Sequence, residues 1–263
     1  MLTLLNPLHL IKRRSHCLPL PPEAKIPTIF HVTHHKAGSQ WVHAILHTLA
    51  YHHLVLPELF SQHFLQKPIQ AGKIYPTVYI THQQFHSVTL PSAYRRFVII
   101  RDLRDTLISA YFSLKFSHEI LHSHQALLRQ KLQEMNMEEG LIYLIDSWLI
   151  SRAMMQWSWL AAGERLYKYE ELLEHDEELF DEIFRKVCRL PVTRQQVREA
   201  VRINRFEART KGRPRGVEDV HAHERKGIAS DWRNYFTPAV KDYFNSRYGS
   251  LLIATGYEKD FNW

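Results

Sequence analysis

Three segments of this 263-residue chain carry residue types that act together on phosphate-like anions. The first is His34-His35-Lys36-Ala37-Gly38-Ser39, where a lysine and a glycine stand just before a helix-periodic run. A strand, glycine-containing loop and helix in that order present backbone N–H groups and the positive end of a helix dipole to a phosphate. The order is not that of a Walker A loop, because the lysine precedes the glycine. The second segment is Arg101-Asp102-Leu103-Arg104-Asp105, with Ser109 eight residues beyond Arg101. Arg101 can clamp an oxyanion and Ser109 can add a hydroxyl, although Asp102 or Asp105 can equally satisfy the arginine. The third is Thr81-His82, which follows an apolar stretch.

These groups need elements to hold them. Residues 26–33 read as a strand leading into the lysine loop, and Ser39–Ala50 as a helix, with Ser39 as N-cap and Trp41, Ile45 and Leu49 at helical spacing. Strands over 77–80 and 97–100 deliver His82 and Arg101, and a helix over 103–116 carries Ser109. Helical patterns follow over 120–135 and 138–161, then a strand over 165–169, helices over 176–189 and 193–203, and a last helix over Pro238–Ala254. Short apolar strands alternating with helices predict an α/β fold, a parallel sheet with helices on both faces. Ligands of such sheets sit beyond the carboxyl ends of the strands, where all three segments fall.

Composition excludes most other classes. With 45% hydrophobic and 23% charged residues, nine glycines and two cysteines (Cys17 and Cys188), the chain is neither disordered, collagen-like nor a disulfide scaffold. No run reaches the ~20 apolar residues of a membrane helix. In residues 1–25 the cations Lys12, Arg13 and Arg14 follow the apolar run, the reverse of a secretory leader. This segment reads as an N-terminal arm before a domain at 26–263 of a cytoplasmic protein with reduced thiols. The net charge of +7 calls for an anionic partner, be it nucleic acid, acidic lipid or phosphorylated small molecule. In residues 205–215 five cations face Glu207 alone, so over half of the surplus gathers there. Other features read as structural: His43 and His47 as a helix pair rather than metal ligands, and Cys188 as a buried hydrophobe. Met154, Met155, Trp157 and Trp159 read as core or pocket lining, and the eight acids between Glu170 and Glu182 as a solvated helix face.

Taken together, the segments resemble the cytosolic-type sulfotransferases, which use 3'-phosphoadenosine-5'-phosphosulfate (PAPS). The family's first loop, approximately K-S-G-T-T-W, stands here as Lys36-Ala37-Gly38-Ser39-Gln40-Trp41. Its R-[ND]-P-[KR]-D and V-S-x-Y signature is similar to Arg101-Asp102-Leu103-Arg104-Asp105 with Ile108-Ser109-Ala110-Tyr111. A third, close to R-K-G-x-x-G-D-W-x-N-x-F, resembles the run from Arg225-Lys226-Gly227 through Ser230-Asp231-Trp232 to Phe236. Tyr169-Glu170-Glu171-Leu172 resembles the family's Y-E-D-L.

The resemblance implies a P-loop NTPase-like fold with a PAPS-binding loop and metal-free sulfuryl transfer to an acceptor hydroxyl or amine. It implies Lys36 on the 5'-phosphosulfate and the N–H groups of Gly38, Ser39 and Gln40 around the 5'-phosphate. Arg101, Ser109, Arg225, Lys226 and Gly227 would hold the 3'-phosphate. Trp41 and Phe206 would sandwich the adenine, with Tyr169 at its edge, and His82, matching the family's K-T-H segment, would take the acceptor's proton. The implied partner is a small hydroxylated molecule rather than nucleic acid, in a pocket drawn from residues 52–72 and 118–137. The chain departs from the family at Gln40 (a hydroxyl), Ile80 (a lysine), Asn204 and Arg205 (a Thr-Ser pair) and Ser230 (a glycine). A nucleotide- or nucleic-acid-binding module of the same fold stays open, as does a nucleoside-phosphate kinase, which the missing Walker A loop disfavours.

Overall fold

The structure, a computed structural model, describes residues 19–57, 61–117 and 123–263. Strands β1 (Thr28–Thr33), β2 (Ile74–Val78), β3 (Tyr94–Ile100) and β4 (Leu166–Lys168) form one sheet of order β2-β1-β3-β4, and every pairing is parallel. β1 is buried at all six positions, as a central strand covered on both faces must be. β2 starts earlier than its apolar run suggests and passes through Pro76. Its edge position explains this, since proline lacks the N–H that a central strand would need.

The helices are α1 (Ser39–Ala50), α2 (Ser61–Gln66), α3 (His82–Phe85), α4 (Leu103–Phe112), α5 (Ser123–Glu134) and α6 (Met137–Ser147). Then come α7 (Ile150–Ala161), α8 (Tyr169–Glu174), α9 (Asp176–Asp181), α10 (Arg194–Ile203), α11 (Phe206–Arg209) and α12 (Pro238–Ala254). One sheet face packs Ile29, Phe97 and Ile99 against α1, α10 and Phe180 of α9. The other packs Phe30, Val98 and Ile100 against Phe85, Met155 and Trp159. A third core joins α4, α5, α6 and α12.

Several expectations are corrected. Ser39 is the first helical residue, and Gly38 caps α1 with a left-handed backbone, φ 85°. A Cβ there would come within 2.8 Å of the Tyr169 ring, so glycine supplies both the turn and the close approach. The single helix expected over 138–161 is two, broken at Trp148 and Leu149. Helices α4 and α9 end in wide π-type turns at Ser113–Ser117 and Glu182–Val187, and Tyr169 opens α8 instead of closing β4. Met155 and Trp159 are buried, but Met154 and Trp157 are 58% and 54% exposed and line neither core nor cavity. The acidic stretch is not simply a solvated face. Asp176 and Asp181 are buried, and Asp176 and Glu177 pair with Arg198, Arg202 and Arg205. Cys188 is buried in the first core, whereas Cys17 and residues 1–18 of the arm lie outside the described residues.

Two histidines of β1 and its exit are held neutral. His31 Nδ1 donates to the Pro76 carbonyl at 2.7 Å while its ring stacks on Phe97. Burial lowers its pKa to about 4, and lowers that of His34 to about 3. Because an unfolded histidine titrates near 6.5, the unfolded chain binds more protons between about pH 4 and 6.5. Stability therefore rises with pH across that window, by up to about 2.7 kcal/mol per pH unit for the two histidines together. Urea unfolding between pH 7 and pH 4.5 should show the midpoint falling as pH falls below 6.5, and a flat profile would contradict it.

Candidate active site

The carboxyl ends of β1, β3 and β4, with the loop after α11, enclose a cavity of about 450 Å³. Lys36, Gly38, Ser39, Gln40 and Trp41 line it, as do Arg101 and Ser109. So do Tyr169, Phe206, Arg225, Lys226 and Gly227, which brings together all twelve residues that the sequence assigned to a nucleotide. Of the thirteen assigned residues only His82 is absent from the lining. It opens α3, its N–H donates to Ser158 Oγ at 3.0 Å, and its ring sits edge-on to Trp159, 5.0 Å away.

The first loop is shaped by its backbone. Lys36 takes a left-handed conformation, φ 69°, which costs energy for a side-chain-bearing residue and turns the chain at the mouth of β1. The N–H groups of Gly38, Ser39 and Gln40 bond to no other described backbone group, as expected at the first turn of a helix. Burial lowers the Lys36 pKa to about 8, with Arg101 and Arg225 adding repulsion.

Arg101 ties three walls together. Its Nη1 donates to the Lys36 carbonyl at 3.0 Å, its Nη2 reaches the Ile228 carbonyl at 3.5 Å, and the guanidinium lies 4.7 Å from the centre of the Tyr169 ring. Asp105 faces it at 4.0 Å and accepts the N–H groups of Ser230 (2.7 Å) and Trp232 (2.9 Å), fixing the basic loop against α4. Of the two internal partners open to Arg101, then, Asp105 is the one, because Asp102 caps α4 and chelates Arg104. Asp231 in turn pairs with both Arg225 and Lys226, and these cations hold its pKa below the usual carboxylate range despite burial. Ser230, where the family has glycine, adopts the left-handed conformation that explains that preference, φ 59°.

Sequence reasoning missed the joint behind the lysine loop. His34 Nδ1 donates to the His35 carbonyl, and Nε2 accepts from Gln156 Nε2 at 2.8 Å and from the Arg101 N–H at 3.3 Å. Gln156 also donates to the Arg101 carbonyl, 2.7 Å, so α7 sets the spacing of the β1 and β3 exits. His35 lines the cavity, and His34 is buried. The only sequence signal for Gln156 is a polar residue on the apolar side of a helical pattern. Among the described residues no three metal-binding side chains converge, and His43 and His47 meet edge-on, ring centroids 6.2 Å apart.

The donor set suits a nucleotide with anionic groups at two ends. Lys36 and the N–H groups of Gly38, Ser39 and Gln40 share the lining with Arg101, Arg225 and Lys226. Arg101 Nε is buried without a partner, and at Gly227 a Cβ would strike the Phe206 ring at 2.5 Å, so backbone and ring close tightly there. Residues 27–256 match the family model of the sulfotransferase domain. The chain belongs to the sulfotransferase family. Its enzymes draw the transferred group from PAPS. No curated protein matches the chain. Among solved structures it is similar to mouse sulfotransferase SULT7A1 complexed with PAP, at 16% identity and a TM-score of 0.60, covering 89% of each chain. It is also similar to retinol dehydratase with retinol and PAP, at 14% identity and a TM-score of 0.51, covering 87% of this chain and 82% of that one. The androsterone complex with inactive cofactor PAP gives 14% identity, a TM-score of 0.53, and coverages of 89% and 82%. At these identities the likeness establishes the fold, a parallel P-loop-like sheet with flanking helices.

Asp105 should therefore bear on stability as well as on the site. Replacing it by alanine leaves the buried Trp232 N–H and the part-buried Ser230 N–H without their acceptor and removes the Arg101 counter-charge, an expected loss of about 3 kcal/mol. Asp105→Asn, which keeps an acceptor, should lose less. Chemical denaturation of the two variants reads the difference, and equal, small losses would contradict this role.

Proposed function

We propose that this sulfotransferase-family chain moves the sulfuryl group of PAPS to a hydroxyl, or an amine, of a small acceptor. The observation that carries the reading is the cavity itself, which a half-buried lysine and helix-terminal N–H groups line together with an arginine–lysine cluster. PAPS would supply an activated sulfuryl group, whose displacement in line through a loose transition state needs positioning and fixed positive charge. Lys36 would place its ammonium on the bridging oxygen, and the N–H groups of Gly38, Ser39 and Gln40 would hold the 5'-phosphate. Arg101, Ser109, Arg225, Lys226 and the Gly227 N–H would take the 3'-phosphate, with Trp41, Phe206 and Tyr169 around the adenine. No metal is called for, since these cations do the charge work.

His82 is the proposed general base. Cavity-lining His35 is the other candidate, but its Nδ1 faces Arg152 Nη2 at 3.2 Å. An arginine can only donate, so the His35 proton sits on Nε2 and its basic nitrogen is engaged. Among the described residues no helix is long and apolar enough to cross a membrane. The reading of a cytoplasmic enzyme acting on a small molecule accords with this. A binding module without transfer activity is the competing reading. It predicts a thermal shift with 3',5'-adenosine bisphosphate (PAP) and no sulfated product from any acceptor.

Lys36→Ala and His82→Ala should each lower kcat by at least ~10²-fold, the scale of a lost charge or proton acceptor. Unchanged kcat in His82→Ala across acceptors would sink the base assignment. PAP affinity has its own pH signature. Below a pKa of about 8 the free protein already carries the Lys36 proton, so affinity is flat. Above it, binding must reload that proton, and affinity falls as pH rises. Calorimetry in buffers of differing ionisation enthalpy should show proton uptake near pH 9, and its absence would remove Lys36 from the anion.

A further inference from the structure

Most cations lining the cavity face a carboxylate. Arg101 has Asp105 at 4.0 Å, Arg209 has Glu224 at 2.6 Å, Arg215 has Glu207 at 3.6 Å, and Arg225 and Lys226 share Asp231. Lys36 and Arg152 have no such pair among the described residues, and only Lys36 is accounted for by the donor. Arg152 rises from the first turn of α7 and lies with its guanidinium 3.8 Å from the centre of the Trp148 ring. Its Nη1 donates to the Trp148 carbonyl and Ser151 Oγ, and its Nη2 to His35 Nδ1. The Nε–H is buried without a partner, which leaves it and the second Nη2 hydrogen unused. These adjacent donors match the two oxygens of a carboxylate, sulfate or phosphate.

Position decides which molecule carries that anion. The neighbours of Arg152, namely Trp148, Ser151, His35 and the Tyr79 ring stacked 3.9 Å from His35, are none of the twelve nucleotide residues but border them, since Tyr79 OH meets Ser39 Oγ at 3.0 Å and His35 precedes Lys36. Ser147, Trp148, Tyr79 and His35 line the same cavity as Arg152. Burial lowers the Arg152 pKa to about 10, the mark of a charge left without a counter-ion. Resting on the sulfotransferase reading, we infer that the acceptor is itself an anion, whose carboxylate, sulfate or phosphate group is bound by Arg152.

Matched pairs test this: p-cresol against p-hydroxyphenylacetate, and methyl glucoside against methyl glucuronide. Binding to the PAP-saturated protein and turnover with PAPS are both measured. The wild type should favour the charged member by at least ~10-fold in affinity or kcat/KM, the scale of one buried charge-assisted pair. Arg152→Gln should erase that preference through KM, with the neutral member changed less than ~3-fold and PAP affinity unchanged, while Arg152→Lys should restore part of it. If the wild type shows no charged preference in either readout, the inference falls. If Arg152→Gln slows both members equally in kcat, Arg152 serves the sulfuryl group instead, and the inference also falls. Failure of PAP to bind the wild type would sink the donor reading itself, and the acceptor inference with it.

Discussion

A single buried carboxylate, that of Asp105, holds the N–H groups of Ser230 and Trp232 while it faces Arg101. Through it the exit of β3, the start of α4 and the basic loop at residues 225–236 have one fixed separation. Arg101 extends the same frame to the lysine loop by donating to the Lys36 carbonyl. Burial raises the Asp105 pKa, so the frame costs desolvation, which Arg101 and the two backbone donors offset. The Arg101 bond to the Ile228 carbonyl and the Arg225 guanidinium over the Phe112 ring brace the same loop beside it.

Charge is the second constraint, because collecting cations in a partly buried site is costly without counter-ions. The chain meets it by sharing acids rather than adding them: Asp231 serves Arg225, Lys226 and the amide of Asn234. The basic run over 205–215 is likewise less free than its composition suggests. Arg205 pairs with Asp176 and Glu177, and Arg213 is spent on the carbonyls of Val217, Glu224 and Arg225. Only Arg209 and Arg215 of the run's five cations line the cavity, each with an acid beside it. The net charge of +7 thus marks an anionic ligand chiefly through a few positioned residues, not through a general field.

What could be read from residues alone followed the range of the interactions involved. Helices α1 and α12 span the residues that apolar spacing suggests, although Gly38 and not Ser39 caps α1, and Thr237-Pro238 starts α12. The lysine loop, Arg101 and the basic loop were legible because strand-end chemistry is written in contiguous motifs. The Pro76 edge strand was not, since edge position is a property of the sheet and not of the segment. The His34–Gln156–Arg101 joint was not either, because it links residues as much as 122 positions apart. His82 shows the same limit. Its place in the chain suits a base, but whether its ring faces the cavity depends on Ser158 and Trp159 of α7.

The break between α6 and α7 explains why donor chemistry was readable and acceptor chemistry was not. An uninterrupted helix over 138–161 would satisfy the apolar periodicity equally well. Instead the chain turns at Trp148 and Leu149, whose N–H groups both return to the Leu144 carbonyl. That turn sets Ser147 and Trp148 in the cavity wall and starts α7 so that Arg152 reaches His35. The position answering to the family lysine is Ile80, buried in the core, with its carbonyl accepting Trp159 Nε1. Arg152, the cation beside His35, therefore comes from a helix and from a residue no strand-end motif contains. In the proposed reading, the nucleotide would be recognised by residues at strand ends and the acceptor by residues placed where one helix stops and the next begins.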